Sequence, residues 1–374
     1  MNHWLSWAAM RIVHLTSSHP PDDVRIFLKE CRSLARAGFD VHLVAPGGVN
    51  GTRDGVVVHG FDLPTGPRPL RVMRRLWRAW RSTRELAPDL CQFHEPELVL
   101  VALWLKLRGT RVVYDVHEHH TSAVAHSLYS GGGRRLAFRL LEAAARRTCD
   151  GFVGATPAIA REYPSARTVA VLNYPLPEEF AESTPAAGRA EAVYVGGLTR
   201  SRGVREMVEA AARLGDPQTR LVLIGVFDDP ELEREVRALP SWTRVEHVGW
   251  LGRHDVMERL AAARIGLVVL HPEPDFVRSI PIKLFEYMSA GLPVIASDFP
   301  YWREMLDPIG CASFVDPHDP ARIAGAIDDL LSDETRAAEM GRRGAKAVRE
   351  RLNWEREAPK LVDLYGRLGL QAAT

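Results

Sequence analysis

Residues 265–297 read IGLVVLHPEPDFVRSIPIKLFEYMSAGLPVIAS, and this stretch decides the fold class. Two short apolar runs, 265–270 and 293–297, flank a ten-residue loop and a short helical segment. The segment begins after a proline and ends at Gly291, as helices commonly do. Apolar runs of this length joined by a helix are typical of parallel strands buried on both faces. The stretch predicts a strand, a loop, a helix and a second parallel strand.

The same alternation runs through the 374 residues and predicts an α/β protein with two Rossmann-like domains. Residues 1–175 and 191–352 each repeat the pattern, and a segment rich in Pro, Glu and Ala separates them. We interpret residues 176–190 as an interdomain linker. Ligands of such sheets bind at the carboxyl ends of the strands, so two facing domains predict a site in the cleft between them. Alternatively, the two halves form one large α/β domain.

Composition limits the class of protein. The chain is 46% hydrophobic, and its four cysteines are far apart, which suits a reducing compartment. The longest apolar run, 98–105, is much shorter than the roughly 20 residues of a membrane span. The amino-terminal residues lack the basic and apolar parts of a signal peptide. We therefore expect a cytoplasmic protein.

Charge is distributed unevenly between the two halves. Residues 1–175 hold 23 Lys and Arg against 15 Asp and Glu, whereas residues 176–374 hold 25 against 32. A basic first half and an acidic second half suggest domains that meet different partners. The first predicted strand is not followed by a GxGxxG motif, so the sequence does not support a nicotinamide or flavin cofactor.

The helix tip in the opening stretch has the residues of an anion site. A helix N-terminus carries about half a positive charge and unpaired N–H donors, and Arg278, Ser279 and Lys283 stand near it. Glu286 lies about one turn further in, where a carboxylate can accept hydrogen bonds from the vicinal hydroxyls of ribose. Diphosphate at the tip and ribose at the carboxylate together describe a nucleotide-sugar site. Alternatively, Glu286 is a surface carboxylate paired with Lys283.

A segment rich in glycine and arginine, VGGLTRSRG, follows the first predicted strand of the second half. Gly196 and Gly197 allow the backbone to approach a ligand closely. Arg200 and Arg202 precede a helix and are candidates for binding a diphosphate through charge-assisted hydrogen bonds. Taken alone the motif is weak, because Gly and Arg are common in loops.

Polar residues at three strand ends of the first half are candidates for binding an acceptor. In DVHEHH, at 115–120, three histidines are crowded with two carboxylates. The spacing differs from a metal-binding HExxH helix, so a hydrogen-bonding or acid–base role for His117 is favoured over a metal site, with a solvated loop as the alternative. Alternatively, Asp22 or Asp23 caps the helix that follows. The acceptor candidates are His19, Asp23, Arg25, His94, Glu95 and Glu118.

The segment RPLRVMRRLWRAWRSTREL, at 68–86, predicts a basic amphipathic helix. Apolar residues recur at helical spacing (Leu70, Met73, Leu76, Trp77 and Trp80), and arginines cover the rest. Such a helix can lie on an anionic membrane surface. The alternative is an ordinary helix that docks its apolar stripe on its own sheet.

Five motifs, taken together and in order, resemble the family-4 glycosyltransferases, which have the GT-B fold. The motifs are HPPDDVRIFLKECRSLARAGFDVHLVAP (19–46), HEPEL (94–98), YDVHE (114–118), YVGGLTRSRG (194–203) and KLFEYMSAGLPVIASD (283–298). As a set they are specific, although none is specific by itself. The resemblance runs from about residue 11 to about residue 368.

The resemblance implies retaining transfer of a sugar from a nucleotide-diphosphate sugar to a hydroxyl acceptor, without a metal or other cofactor. It implies that Glu286 holds the donor ribose, that Arg202 binds the diphosphate and that His117 lies near the transferred sugar. The last helix, within residues 353–374, is expected to cross back onto the first domain. Relatives act on glycans, lipid-linked acceptors or small molecules, and no nucleic acid partner is implied.

The chain departs from the family pattern at two places. Arg278 stands where the family usually has a first glutamate, eight residues before Glu286, so contacts to the donor sugar there are in question. Gly196 and Gly197 stand where a Gly-Arg pair is more usual. Two other functions share the fold: a nucleotide-sugar 2-epimerase, which needs no acceptor, and a nucleotide-sugar-binding protein without turnover. The motifs favour the transferase.

Overall fold

The computed structural model describes residues 10–47, 50–62, 68–117, 132–176 and 191–372. The chain divides into two compact units: Met1–Asn173 with Trp354–Thr374, and Tyr174–Asn353. Of the segment interpreted as a linker, only residue 176 lies within the described residues. Each unit is an α/β layer structure built on a largely parallel sheet, which confirms the predicted fold class.

In the first unit, the described residues form one sheet. Its strands are β1 (Arg11–Leu15), β2 (Asp40–Pro46), β3 (Gly51–Arg53), β4 (Val56–Phe61), β5 (Leu90–Phe93), β6 (Arg111–Val116), β7 (Gly151–Gly154) and β8 (Thr168–Ala170). Their order is β3-β4-β2-β1-β5-β6-β7-β8, and the pairs are parallel apart from β3 with β4. Since β1 lies between β2 and β5, the strand order reverses there, and the carboxyl ends of β1 and β5 border the expected ligand crevice.

Helices cover the faces of this sheet. They are α1 (Arg32–Arg36), α2 (Arg68–Leu86), α3 (Val99–Leu107), α4 (Gly132–Thr148) and α5 (Pro157–Ala160), with 3₁₀ turns at Pro96–Leu98 and Ser165–Arg167. Residues of α2 and α3 pack with β1, β5 and β6 in one apolar core that includes Leu15, Phe93 and Tyr114. The buried strands account for the near-continuous apolar runs of the sequence.

The sequence predicts one continuous helix over 25–37, ended by Gly38, and the structure differs from this prediction. Residues Val24–Cys31 form a π-helix, and only Arg32–Arg36 is α-helical. Asp23 caps the π-helix by accepting hydrogen bonds from the N–H groups of Arg25 and Ile26, each at 2.9 Å. The wider turn buries Arg25, Lys29 and Glu30 together, and π-helical turns are frequent at functional sites.

The hairpin of β3 and β4 was not predicted, although the sequence signalled it. Its turn residues, Asp54 and Gly55, have φ values of +51° and +78°. An Asp-Gly pair is the preferred pair for a tight hairpin turn with both central residues at positive φ. Strand β3 is exposed throughout, so its sequence lacks the alternation of apolar and polar residues that identifies a half-buried strand.

The second unit has the same architecture. Its strands are β9 (Glu191–Val195), β10 (Arg220–Ile224), β11 (Val245–Gly249), β12 (Ile265–Val268), β13 (Val294–Ser297) and β14 (Ala312–Val315). Their order is β11-β10-β9-β12-β13-β14, and the strand pairs are parallel. The order reverses between β9 and β12, so the carboxyl ends of these two strands border the crevice of this unit.

Helices again cover the sheet. They are α6 (Val204–Ala211), α7 (Pro230–Arg237), α8 (Arg253–Ala262), α9 (Pro274–Arg278), α10 (Ile282–Ser289), α11 (Pro300–Leu306), α12 (Pro320–Ser332) and α13 (Glu334–Glu350), with 3₁₀ turns at Arg200–Arg202 and Pro240–Arg244. The ten-residue loop predicted at 271–280 contains α9, whose first turn starts at Pro274. The charged and proline-rich sequence of this segment concealed a helix of five residues.

The last helix, α14 (Trp354–Arg367), packs on the first unit. Trp354 Nε1 donates to Ser33 Oγ at 2.8 Å, and Tyr365 Oη donates to Gln92 Oε1 at 2.7 Å. The carboxylate of Glu357 accepts the N–H of Leu172 at 2.9 Å. Among the described residues, no helix combines the length and the apolar character needed to cross a bilayer.

Candidate functional site

The carboxyl end of β9 opens into the glycine turn of the second unit. Gly196 has a φ of +137°, and a Cβ on it would lie 2.6 Å from Lys283 Nζ. A Cβ on Gly197 would lie 3.1 Å from Arg202 Nη1. A side chain at either position would therefore crowd a basic group, and the glycines keep the turn open to these two cations.

Arg202 and Lys283 reach this turn from two separate segments. Arg202 ends the 3₁₀ turn before α6, and Lys283 lies in the first turn of α10. Lys283 Nζ donates a hydrogen bond to Tyr194 Oη at 2.9 Å, and Tyr194 Oη donates to the carbonyl of Gly197 at 3.1 Å. Two positive groups beside a glycine turn at a helix N-terminus form a site suited to a diphosphate.

The electrostatics of the site disfavour a charged lysine before any ligand arrives. Burial lowers the pKa of Lys283 to about 7, the nearby charge of Arg202 also lowers it, and the carboxylate of Glu286 acts in the opposite direction. Like charges held together in a partly desolvated place disfavour the protonated lysine. An anion bound between Arg202 and Lys283 would relieve this repulsion.

Glu286 lies one turn along α10 from Lys283, but the two side chains do not pair. Glu286 Oε1 accepts a hydrogen bond from Arg253 Nη1 at 3.3 Å, and the glutamate side chain is 16% exposed. The alternative interpretation, a surface pair with Lys283, is wrong because the lysine turns to Tyr194 instead. Arg253, the first residue of α8, orients the carboxylate while leaving part of it accessible.

The position of α10 depends on its tyrosine and on small residues beneath it. Tyr287 Oη accepts the N–H of Val195 at 2.9 Å, which joins the helix to the end of β9. A Cβ on Gly266 of β12 would lie 2.3 Å from the ring of Tyr287, so only glycine lets the helix pack this closely. Gly291, with a φ of +73°, ends the helix as predicted. These contacts hold Lys283 and Glu286 at the carboxyl ends of β9 and β12.

The remaining donor candidates lie around this centre with different partners. Arg200 is paired at the surface with Glu235 at 2.6 Å and with Asp229 at 3.4 Å. Ser279 Oγ donates to the carbonyl of Asp275 at 2.7 Å, so the hydroxyl stabilises the end of α9. Arg278 is exposed at the last residue of α9. We assign Arg200 and Ser279 to structural contacts, and Arg278 remains available to a ligand.

In the first unit, Asp115 is the centre of a buried polar cluster. The guanidinium of Arg25 donates to both carboxylate oxygens, at 2.9 and 3.2 Å. His117 Nε2 lies 2.8 Å, and His94 Nδ1 3.1 Å, from Asp115 Oδ2. Burial by itself raises the pKa of Asp115, but Arg25, then His117 and His94, hold it well below its usual range. A charged Asp115 therefore orients both histidine rings.

The cluster continues inward from His94. His94 Nε2 lies 3.2 Å from His14 Nδ1, and Gln92 Nε2 donates to Glu30 Oε2 at 2.7 Å. Burial, and then the neighbouring charge of Asp115, raises the pKa of Glu30 well above its usual range. Burial also lowers the pKa of His14 well below the ordinary value. Burial therefore disfavours the charged forms of both Glu30 and His14.

Glu95 organises the loop that follows β1. Its carboxylate accepts hydrogen bonds from Thr16 Oγ1 at 2.5 Å, from the N–H of Ser17 at 2.9 Å and from Ser18 Oγ at 2.7 Å. With a further bond from the N–H of Ser18 at 3.1 Å, four hydrogen bonds to one carboxylate fix the loop that leads to His19. Glu95 is thereby engaged in holding this loop.

His19 and His117 are the accessible members of the cluster. Their side chains are 35% and 19% exposed, and their ring centres are 5.4 Å apart. His19 Nδ1 lies 3.3 Å from Asp23 Oδ2, a hydrogen bond that raises the pKa of His19 above its ordinary value. Asp23 thus caps the π-helix and also orients the partly exposed ring of His19.

Arg25 and His94 lie deeper than the sequence led us to expect. Arg25 is 5% exposed, its guanidinium is occupied by Asp115 and by the carbonyl of Val171, and His94 is 4% exposed. We therefore assign both to positioning Asp115 and His117 rather than to contacting an acceptor. Glu118, with the two histidines after it, lies outside the described residues.

Sequence reasoning missed several members of both sites. They are Arg253, Tyr194 and Tyr287 in the second unit and His14 and Glu30 in the first. Tyr194, Tyr287 and Glu30 stand within the quoted motifs without having been named as site residues, whereas Arg253 and His14 lie outside the motifs. Residues 11–17, RIVHLTS, predict a buried strand, and the polar His14 inside this apolar run was the available signal. The other four gave no local signal, because their partners are distant in sequence.

Two family models match this chain, one in each unit. Residues 177–347 match a family model described as "Glycosyl transferases group 1", and residues 24–173 match one described as "Glycosyl transferase 4-like domain". Together the two matched stretches take in most of each unit.

Two curated relatives match in part. The chain is 29% identical over 188 residues to an alpha-maltose-1-phosphate synthase of Mycolicibacterium smegmatis, covering 47% of each chain. It is 32% identical over 146 residues to a phosphatidyl-myo-inositol mannosyltransferase of Mycobacterium leprae, covering 39% of this chain and 37% of the relative. The match therefore spans about half the length of these relatives or less.

Solved structures share the whole fold at low sequence identity. A sucrose-phosphate synthase from Thermosynechococcus elongatus has a TM-score of 0.76 and 20% identity, and the match covers 96% of this chain and 99% of that one. HepE from Anabaena, in complex with UDP and glucose, has a TM-score of 0.73 and 15% identity over 96% of this chain and 100% of that one. These likenesses concern the fold.

Proposed function

Since this chain belongs to the family-4 glycosyltransferases with the GT-B fold, we propose that it moves a sugar from a nucleotide-diphosphate sugar to a hydroxyl acceptor with retention of configuration. One observation carries the proposal: Arg202 and Lys283 converge on the Gly196–Gly197 turn, and a carboxylate, Glu286, lies one turn along the same helix. This arrangement provides adjacent places for a diphosphate and a ribose.

The donor occupies the second unit in this proposal. Arg202, Lys283 and the N-terminus of α10 bind the diphosphate, and the Glu286 carboxylate accepts hydrogen bonds from the ribose hydroxyls. Arg253 orients the carboxylate through the hydrogen bond from its guanidinium. Arg278 stands where relatives have a glutamate, and its exposed guanidinium adds positive charge on the phosphate side.

The chemistry requires stabilisation of the leaving diphosphate. Negative charge grows on its terminal phosphate as the bond to the anomeric carbon breaks, and preorganised cations stabilise that charge. Arg202 and Lys283 supply two such cations. We propose that they stabilise the leaving phosphate as a divalent metal does in other transferases. The acceptor oxygen bonds to the anomeric carbon on the face that the phosphate leaves, and the departing phosphate oxygen takes the acceptor proton.

The first unit supplies the acceptor side in this proposal. His117 Nε2 faces Asp115, which leaves its other ring nitrogen for a sugar hydroxyl. His19 and Asp23 are the further polar groups at this surface. The HepE complexes with UDP and glucose, and a trehalose-6-phosphate protein of E. coli bound with UDP-2-fluoro glucose, make uridine diphosphate sugars the first donors to test.

A membrane-held acceptor fits the surface of α2. Leu76 and Trp80 pack toward the core, as expected of a helix docked on its own sheet. Leu70, Met73 and Trp77, however, form a second apolar row that is 47%, 67% and 53% exposed. Exposed apolar side chains among arginines are the features of a helix that lies on an anionic lipid surface. We propose that this row contacts such a surface.

The proposed transfer is tested with purified protein and a panel of nucleotide sugars. Each donor is incubated with and without candidate acceptors, namely glycans, lipid-linked sugars and small alcohols, in the presence of a metal chelator. Mass analysis identifies the products, and NMR reports the anomeric configuration. The expected product is a glycoside with the same anomeric configuration as the donor sugar. Conversion of the donor to an isomer without acceptor would show an epimerase, and binding without any product would show a binding protein; either outcome contradicts the proposal.

A further inference from the structure

Three side chains of the second unit form a group that the proposed transfer does not use. Glu206 lies in the first turn of α6, His271 follows β12, and His318 lies in the turn between β14 and α12. One ligand atom from each residue lies within 4.8 Å of the other two. The ring centres of the two histidines are 4.2 Å apart. Three segments distant in sequence therefore present two imidazoles and a carboxylate to one point.

Two of the atoms facing this point lack a hydrogen bond within the described part of the chain. His271 Nε2 and Glu206 Oε2 are 3.2 Å apart, yet they are not aligned as a hydrogen bond, and both are buried atoms without a partner among the described residues. Leaving two buried polar atoms unsatisfied costs free energy. Ligand atoms about 2.1 Å from a tetrahedral ion are about 3.4 Å apart, close to the observed separation. A shared cation would satisfy both atoms.

The backbone holds these ligands in place. Gly203, at a φ of +68°, lies so close to the carbonyl of Val269 that a Cβ would come within 2.1 Å of the oxygen, and this contact sets the start of α6 against the end of β12. The N–H of His271 donates to the carbonyl of Ser201 at 2.8 Å. The N–H of His318 donates to Asp316 Oδ1 at 2.9 Å. The ligands are thus preorganised, while the exposed His318 leaves a route from solvent.

Two similar groups in the first unit are poorer candidates. One joins His94, Asp115 and His117, and the other joins His14, Glu30 and His94. The guanidinium of Arg25 binds Asp115 and lies 3.1 Å from Glu30, so a resident positive charge opposes a second cation in either group. Beside Glu206, by contrast, Arg205 is paired with Glu209 and Glu235.

We propose that Glu206, His271 and His318 bind a divalent metal ion of the zinc class. Two imidazoles and a carboxylate form a ligand set that zinc accepts, with water in the remaining position. The bound ion would join the start of α6, the segment leading to α9 and the turn before α12. This metal would therefore stabilise the segment that precedes α10, the helix that carries Lys283 and Glu286, without taking part in the transfer.

The test measures zinc binding by the full chain, free of a histidine tag and stripped with a chelator. Zn²⁺ is titrated against a chromogenic chelator, stoichiometry is measured by elemental analysis, and Co²⁺ absorbance reports tetrahedral geometry. The parent is expected to bind one ion that His271→Ala and His318→Ala bind at least about tenfold more weakly. Zinc should also raise the melting temperature of the parent more than that of either variant.

A matched control lies in the same unit. His254 and Glu258 are 3.3 Å apart, but they form an exposed pair, and His254→Ala should bind zinc like the parent. His117→Ala tests the first unit and should also bind like the parent. Absence of stoichiometric zinc binding by the parent would overturn the proposal. So would a loss seen in His117→Ala with undiminished binding by His271→Ala and His318→Ala, since the ion would then lie in the first unit.

Discussion

Lys283 Nζ donates a hydrogen bond to Tyr194 Oη at 2.9 Å while lying 4.2 Å from the centre of the same aromatic ring. The tyrosine is a neutral partner that brings no negative charge, and the pKa of Lys283 is lowered to about 7. Burial, and then repulsion by Arg202, is the reason. The site is therefore poised to accept an anion.

Donor binding should depend on pH because of this lysine. A bound diphosphate favours protonated Lys283, so binding needs no proton uptake below pH 7 and takes up a proton above it. Affinity for the nucleotide sugar should therefore fall by up to about tenfold per pH unit above pH 7, until the pKa of the bound state is reached. Calorimetric titration between pH 6 and 9 measures this. Lys283→Arg stays charged and should give a flat profile; a flat profile for the parent would refute the role.

Replacing Glu286 should remove the proposed contact to ribose. We expect Glu286→Ala to lower kcat/KM at least ~100-fold, roughly 2.7 kcal/mol of transition-state stabilisation. Glu258→Ala removes a glutamate that is 70% exposed in the same unit and should behave like the parent. Steady-state kinetics with the donor identified by the panel measure both variants. A folded Glu286→Ala variant with near-parent kinetics would reject the assignment.

His117 should matter for turnover more than for folding. Its side chain is 19% exposed at the edge of the cluster, whereas Asp115 beneath it is fully buried. We expect His117→Ala to lower turnover at least ~100-fold, with a melting temperature close to that of the parent. His254→Ala, an exposed histidine in the second unit, is the kinetic control. Unchanged turnover in the His117 variant would contradict a role near the transferred sugar.

Arg278 should add to donor affinity through its charge. We expect Arg278→Gln to raise the donor KM about tenfold, the effect of one lost charge-assisted contact, whereas Arg278→Lys should change it less. Arg213→Gln replaces another exposed arginine of this unit and serves as the control. Donor KM is measured at low and moderate salt, because a phosphate contact should weaken as salt increases. Equal KM values for Arg278→Gln and the parent would exclude the contact.

The exposed apolar row of α2 should bind anionic vesicles. We expect the parent to co-sediment with vesicles rich in phosphatidylglycerol, and Met73→Ser with Trp77→Ser to reduce the bound fraction several-fold. Arg74→Glu with Arg75→Glu should reduce it as well, through repulsion by the lipid headgroups. Trp250→Ser removes a tryptophan that is 76% exposed in the second unit and should leave binding unchanged. A parent that stays in solution would argue against a membrane surface.

The alternation of buried strands and helices was readable from the sequence because it is local. In 265–297, the strands β12 and β13 and the helix α10 lie where the apolar runs and the Pro and Gly signals predicted them. The π-helix at Val24–Cys31 was not readable, since its i→i+5 backbone hydrogen bonds leave no residue pattern distinct from that of an α-helix, and they turn Arg25, Lys29 and Glu30 toward the interior together. That choice depends on Asp115 and Asn173, which lie far along the chain.

The candidate sites divide in the same way. The residue types around Gly196, Arg202, Lys283 and Glu286 pointed to a diphosphate and a ribose, because strand ends of a parallel sheet meet at one edge. The partners of these residues could not be inferred: Arg253 lies 33 positions before Glu286, and Tyr194 lies 89 before Lys283. The sequence also suggested that Arg25 contacts the acceptor, whereas its burial against Asp115 indicates that it positions this carboxylate.

By itself, the sequence determined the two α/β halves, the order of the motifs and the positions of the residues that could bind a nucleotide sugar. These properties follow from local periodicity and from residue chemistry at strand ends. The tertiary structure alone decided which charges pair, which histidines reach the surface and where buried atoms remain without partners, as at Glu206 and His271. Such outcomes depend on contacts between distant segments, and packing around them sets the desolvation and the pKa of each group.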